Sequence, residues 1–213
     1  MAENCLNGQI KYVFFDLDGT LTDPGIGITN SIMYALSKMN INPPPRAELY
    51  PFIGPPLRES FEKYYGMNEE QSRMALMYYR EYFSVKGLFE NSVYQGIPEL
   101  LGELCGRSVK VVLATSKPLP FSEKILRHFG LYKYFTFVSG STMDGNRVNK
   151  AEVIRYAVEA LGVLPLEAGP EIIMVGDRRH DVEGAHENGI RCAGVLYGYG
   201  DEDEMRECGA DFI

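Results

Sequence analysis

Five short apolar runs punctuate this chain, each the length of one buried strand: Ile10–Leu17, Val109–Ala114, Tyr134–Val138, Ile172–Val175 and Arg191–Leu196. Helical patterns of about ten residues separate the later four, at Pro120–Phe129, Lys150–Leu161 and Asp181–Asn188. Short, mainly apolar strands alternating with helices predict an α/β fold, a Rossmann-like parallel sheet with helices on both faces. The tail reads as one short helix, Asp201–Cys208, and a terminal strand, Ala210–Ile213.

One stretch breaks the rhythm. From about Asp23 to Val85 the periodicity is helical only, at Ile28–Met39, Leu57–Tyr65 and Glu69–Val85, with the prolines of INPPPRAELYPFIGPP between the first two pieces. An all-helical block after the first strand predicts an inserted small domain over residues 22–89, with residues 1–21 and 90–213 forming the core. Its edges are expected in the loops around Leu21–Gly27 and Lys86–Gly96. Such an insertion sits beside the strand ends, where open α/β sheets bind ligands.

The strand ends carry the chemistry. Asp16 and Asp18 close the first run in Asp16-Leu17-Asp18-Gly19-Thr20. Strand alternation points both carboxylates one way, at a cost unless a cation sits between them or one keeps a proton. Asp-Gly-Thr is also an ordinary turn. The second run ends in Thr115, Ser116 and Lys117, hydroxyls and backbone N–H groups that suit either a phosphate oxygen or a helix cap. Lys150 opens a helix, where the dipole disfavours a cation unless anions lie nearby. The fourth run ends in Gly176-Asp177 with Asp181 one turn on. Asp16 and Asp177, from different strands, could provide the partial oxygen shell that Mg²⁺ takes while leaving room for a phosphate, with Asp181 completing it or serving as a helix N-terminal acid.

Composition adds a constraint. The net charge of −8, from 29 acidic and 21 basic residues, argues against a nucleic-acid partner. It also requires any phosphate site to be locally positive against the global field. No apolar run spans a bilayer, and the four cysteines, Cys5, Cys105, Cys192 and Cys208, show no metal spacing. The N-terminus lacks a secretory pattern. A cytoplasmic protein with reduced thiols is expected, with no membrane partner.

The series Asp-x-Asp-Gly-Thr, strand-end Thr/Ser, Lys, Gly-Asp-x-x-x-Asp closely resembles the haloacid dehalogenase-like superfamily of phosphotransferases, over nearly the whole chain. The stretches DLDGTLTD, IGPPLRESF, YYREYF, ATSKP and GDRRHDVEGAHENGI place the likeness nearest its phosphoglycolate phosphatase and 5'-nucleotidase-like branch. Ala151 stands where phosphoglycolate phosphatases often carry proline. The resemblance implies a helical cap and a phosphatase working through an aspartyl phosphate. Asp16 becomes the nucleophile, Asp18 the acid and base, and Lys150 the steadying cation. Thr115 and Ser116 bind phosphate, and Mg²⁺ rests on Asp16, the Asp18 carbonyl and Asp177, with Asp181 in support. The implied partner is a small phosphorylated metabolite: phosphoglycolate or its like, alternatively a nucleoside monophosphate, or the substrate of a β-phosphoglucomutase-like enzyme.

Arg58, Arg80 and Lys117 are further candidates for substrate contact; the two arginines lie on the predicted helical block, where they would meet a substrate carboxylate or base or else face solvent. Phe61, Tyr64, Tyr65, Tyr78, Tyr79, Tyr82 and Phe83 read as core, with base stacking as the alternative. Gly25 and Gly27 read as a loosened hinge, and His128, His180 and His186 as helix-end or surface residues.

Overall fold

The computed structural model describes residues 10–144, 147–163 and 171–213, so Cys5 lies outside it. Its centre is a sheet of five strands: β1 (Tyr12–Phe15), β4 (Lys110–Pro118), β5 (Phe135–Ser141), β6 (Ile172–Gly176) and β7 (Arg191–Gly194). Their order is β5-β4-β1-β6-β7, and every neighbouring pair is parallel. The period of two is visible in β1. Val13 and Phe15 pack toward Leu101, Ile125 and Leu126, while Phe14 packs toward Val153, Ile154, Val182 and Ala185. Helices α4 (Ile97–Gly106) and α5 (Leu119–His128) therefore cover one face. Helices α6 (Lys150–Leu161), α7 (Arg179–Glu187) and α8 (Glu202–Glu207) cover the other.

Between β1 and α4 the chain builds the helical block: α1 (Gly25–Lys38), a 3₁₀ segment Arg46–Phe52, α2 (Leu57–Tyr65), α3 (Glu69–Tyr82) and a π-turn Phe83–Gly87. Asn68 and Gln71 close a reciprocal capping box on α3. The buried residues of the block join the core on the α4–α5 face.

Several elements differ from the sequence reading. The loops expected at both edges of the block each donate two residues to an antiparallel ribbon, β2 (Thr22–Asp23) with β3 (Ser92–Val93). Two residues are too few for periodicity to register. Helix α4 falls where the sequence reading places no element; it starts after Gly96 with Pro98 in its first turn and buries Ile97 and Leu101. The strand expected at Ala210–Ile213 reduces to one bridge between Ala193 and Phe212. Gly25 and Gly27 are helical residues of α1 rather than a hinge, and a Cβ at Gly27 would meet the Gly87 carbonyl oxygen at 2.0 Å. That glycine permits a backbone crossing.

From β1 the chain moves outward to β4 and β5, then returns to the opposite side of β1 as β6 and β7. The carboxyl end of β1 is thus the topological switch point, where crossovers diverge and a crevice opens.

Candidate active site

Asp16 follows β1, and its backbone N–H still donates to the Val175 carbonyl at 3.0 Å. Leu17 is fully buried, so Asp16 and Asp18 both line one cavity beyond the sheet. The turn after them depends on Gly19, whose φ is +88° and whose Cβ position lies 2.1 Å from Asp177 Oδ2. Only glycine meets both demands.

Lys150, the first residue of α6, enters the crevice from the side. Asn149 caps the helix in a reciprocal box with Glu152, which settles the helix start and aims the lysine. Its Nζ donates to Asp16 Oδ1 at 2.6 Å and to the Ala114 carbonyl at 3.0 Å, and lies 2.7 Å from Asp181 Oδ1. Burial pulls the ammonium pKa down, but the Asp16 and Asp181 charges outweigh it and leave it above the ordinary lysine value. The unfavourable dipole position is therefore compensated.

Asp177 is fully buried after β6. It accepts from Thr20 Oγ1 at 3.0 Å and from the Tyr199 N–H at 2.8 Å. Among the described residues no side-chain cation lies within ion-pair distance of it. Burial, then the Asp181 and Asp16 charges, push its pKa up to about 8. Oxygens of Asp16, Asp177 and Asp181 lie within 4.8 Å of one another. Three buried carboxylates facing one ammonium form an oxygen-only set short of positive charge, which fits a hard divalent cation. The Asp18 side chain stands outside this set. Its Oδ2 accepts from Lys117 Nζ, while its buried Oδ1 has no partner among the described residues. Burial raises its pKa, with the Lys117 charge acting the other way.

The cavity holds about 410 Å³. Thr115, Ser116 and Lys117 line it from the end of β4, which runs on past the expected Ala114 and pairs Thr115 with Gly140 and Pro118 with Ser141. Arg58 also lines it, but bonds Glu62 at 3.1 Å and lies 3.8 Å from Glu69. Tyr79 and Phe83 stack at 5.1 Å along the same wall, and Phe61 is core.

A family model described as haloacid dehalogenase-like hydrolase matches residues 13–195. The chain belongs to that family. Among its relatives, a 5'-nucleotidase of Pseudomonas aeruginosa is 47% identical over 91% of this chain and 86% of its own length. The tyrosine-protein kinase PtkA of Mycobacterium tuberculosis is 40% identical over 91% of this chain, which spans 64% of that protein. A crystal structure of a protein described as a predicted phosphatase from Clostridium acetobutylicum superposes with a TM-score of 0.92. It is 46% identical, with 97% of this chain and 94% of that one covered. By class this haloacid dehalogenase-like hydrolase is a phosphatase.

Some residues of this family member's site lie outside the sequence reading. Thr20 is inside the quoted motif, yet nothing local shows that its hydroxyl reaches Asp177. Tyr199 contributes a backbone N–H from a Gly-rich loop far along the chain. His180 sits at a helix end as expected, in the first turn of α7, and in addition lines the cavity. His128 does sit at a helix end against Phe89, and His186 meets Asp211 at 2.9 Å. No described helix is long and apolar enough to cross a membrane.

Proposed function

We propose that the chain is a Mg²⁺-dependent phosphatase acting through an aspartyl phosphate, with nucleoside monophosphates as its substrate class. The observation that carries the chemistry is the clamping of Asp16 Oδ1 by Lys150 while Asp16 Oδ2 takes no hydrogen bond among the described residues. One carboxylate oxygen is held and the other is left to react.

In the first displacement an Asp16 oxygen forms a bond to phosphorus, the ester P–O bond breaks, and the Asp18 carboxyl gives its proton to the departing alkoxide. In the second, water attacks the same phosphorus and passes a proton to Asp18. The bond between phosphorus and Asp16 breaks, and inorganic phosphate leaves. The raised pKa of Asp18 suits a group that must alternate between acid and base. Lys150 offsets charge on the reacting carboxylate, and Thr115 and Ser116, which line the cavity at the end of β4, would meet the phosphoryl oxygens. Asp16, Asp177 and the Asp18 carbonyl would hold Mg²⁺, with Asp181 in support, and the ion would supply charge neutralisation at the phosphate. Such local charge matters more than the −8 net charge of the chain, because attraction across about 4 Å grows roughly fourfold when the effective dielectric falls from 80 to 20. Residues 22–89 act as a cap that excludes water, joined to the core through the β2–β3 ribbon. The free Cys105, Cys192 and Cys208 support a cytoplasmic setting.

The substrate class rests on the cavity. Its about 410 Å³ lies within the range of roughly 300–1,000 Å³ that encloses drug-sized ligands. Phe52, Leu76, Tyr79 and Phe83 line it with apolar and aromatic surface. A two-carbon acid such as glycolate leaves that wall uncovered, whereas a nucleoside covers it. The nucleotidase relative supports the same choice. The test is phosphate release from a panel of nucleoside monophosphates, phosphoglycolate, glucose 1-phosphate and p-nitrophenyl phosphate, with Mg²⁺ or with EDTA. Mg²⁺-dependent hydrolysis favouring nucleotides is expected. A preference for phosphoglycolate, or isomerisation of glucose 1-phosphate, overturns the substrate class. Full activity in EDTA overturns the metal.

A further inference from the structure

Arg80 differs from every other cation on the cavity wall. Arg58 and Arg73 are engaged by Glu62 and Glu69, and Arg178 by Glu204. Lys117 is engaged by Asp18, and Lys150 by Asp16 and Asp181. Among the described residues no carboxylate lies within ion-pair distance of Arg80, and its side chain makes no hydrogen bond. It is nonetheless half-buried and lines the cavity. Burial pulls its guanidinium below the ordinary arginine value. Tyr79 beside it is only 4% exposed, lines the same wall, and its hydroxyl likewise has no hydrogen-bond partner among the described residues. Two consecutive residues of α3 thus line the cavity with polar groups that have no partner among the described residues.

A guanidinium has five donors and no acceptor. It pairs in bidentate fashion with two adjacent acceptors, and its planar fork fixes their spacing. Among purines, a 6-oxopurine edge offers O6 and N7, both acceptors, whereas adenine places an amino donor beside N7. We propose that Arg80, supported by the Tyr79 hydroxyl, is the specificity residue for the leaving group and selects 6-oxopurine nucleoside monophosphates over adenosine monophosphate. This rests on the nucleotide reading above and adds which base is accepted and why.

The experiment measures kcat and KM for GMP, IMP and AMP with Mg²⁺, on the wild type, Arg80→Met and Arg80→Lys. The wild type is expected to favour GMP and IMP alike over AMP by roughly 5- to 150-fold, the worth of one good bidentate pair. Arg80→Met should bring the ratio to within about twofold, mainly by raising KM for the two oxopurines. Arg80→Lys should restore part of the preference, since an ammonium keeps the charge without the fork. Each ratio is internal to one protein, so partial misfolding cancels. A wild type that hydrolyses nucleotides without base preference, or an Arg80→Met variant with an unmoved ratio, overturns the role of Arg80 and leaves the nucleotide reading standing. A wild type that hydrolyses p-nitrophenyl phosphate but no nucleotide overturns both.

Discussion

Lys150 holds Asp16 Oδ1 and offsets charge that the sheet ends force together; on the mechanism proposed above it also steadies Asp16 for attack. Its side chain is 4% exposed and faces Asp16 and Asp181. Removing one member of a buried ion pair strands the others, at a cost of about 3–5 kcal/mol. Lys150→Met should therefore lower unfolding free energy in urea by about that amount in EDTA, and by less with Mg²⁺. An unchanged midpoint in EDTA would remove the structural part of this account. On the proposed mechanism Asp16→Asn deletes the nucleophile while Asp181 still faces Lys150, so turnover should fall at least about 1,000-fold while the melting temperature changes little. Asp18→Asn should cost about 100- to 10,000-fold, the usual contribution of a positioned acid–base group. A rapid-quench search should also find that its acyl phosphate persists.

The acidic cluster also links stability to pH and metal. Burial and the neighbouring Asp181 and Asp16 charges push the Asp177 carboxyl from about 3.8 up to about 8 in the fold. Between those values the folded state binds more protons than the unfolded state. Stability without metal therefore falls as pH rises through that window. On the proposed reading a divalent cation would compete with the proton for the same oxygens. The rise in melting temperature on saturation with Mg²⁺ should be larger at pH 8 than at pH 5. Equal rises at both values would place the ion elsewhere.

At the scale of elements, α6 shows how a local signal can serve a distant site. The Asn149–Glu152 box is visible in the sequence as Asn-x-x-Glu, and it sets where the helix begins. Asn149→Ala should cost about 1 kcal/mol in urea unfolding. It should also weaken catalysis by loosening the residue next to it. Loss of stability with turnover fully intact would separate the cap from the site. The strands were legible because buried parallel strands are apolar on both faces, so β1, β4, β5, β6 and β7 stand out as runs. Helix α4 was not, since its apolar face rests largely on Ile97 and Leu101 within a short segment flanked by glycine. The β2–β3 ribbon is two residues on each side, and its pairing is a long-range event.

Across the whole molecule, a close backbone crossing closes the helical block on itself, and side chains tie the block to the core. The Gly27 crossing over Gly87 joins the two ends of the block, with a Cβ at Gly27 also falling 2.9 Å from the Glu90 carbonyl oxygen. Gly27→Ala must push backbone aside, and overpacking of that kind costs about 1–3 kcal/mol. Its unfolding midpoint in urea should fall accordingly; a wild-type midpoint would show that the crossing has slack. Arg178 adds a second tie, donating to the Ile53 carbonyl of the block while bonding Glu204 of α8 at 3.0 Å. Local pattern alone determined the sheet, the helical interruption, and the residues at strand ends, because strand burial and helix capping are written in neighbours. Tertiary structure alone decided that Lys117 grips Asp18, that Thr20 and Tyr199 hold Asp177, and that Arg80 is left without a partner among the described residues. Those facts depend on which distant groups converge at a switch point, and no window of sequence contains both members of such a pair.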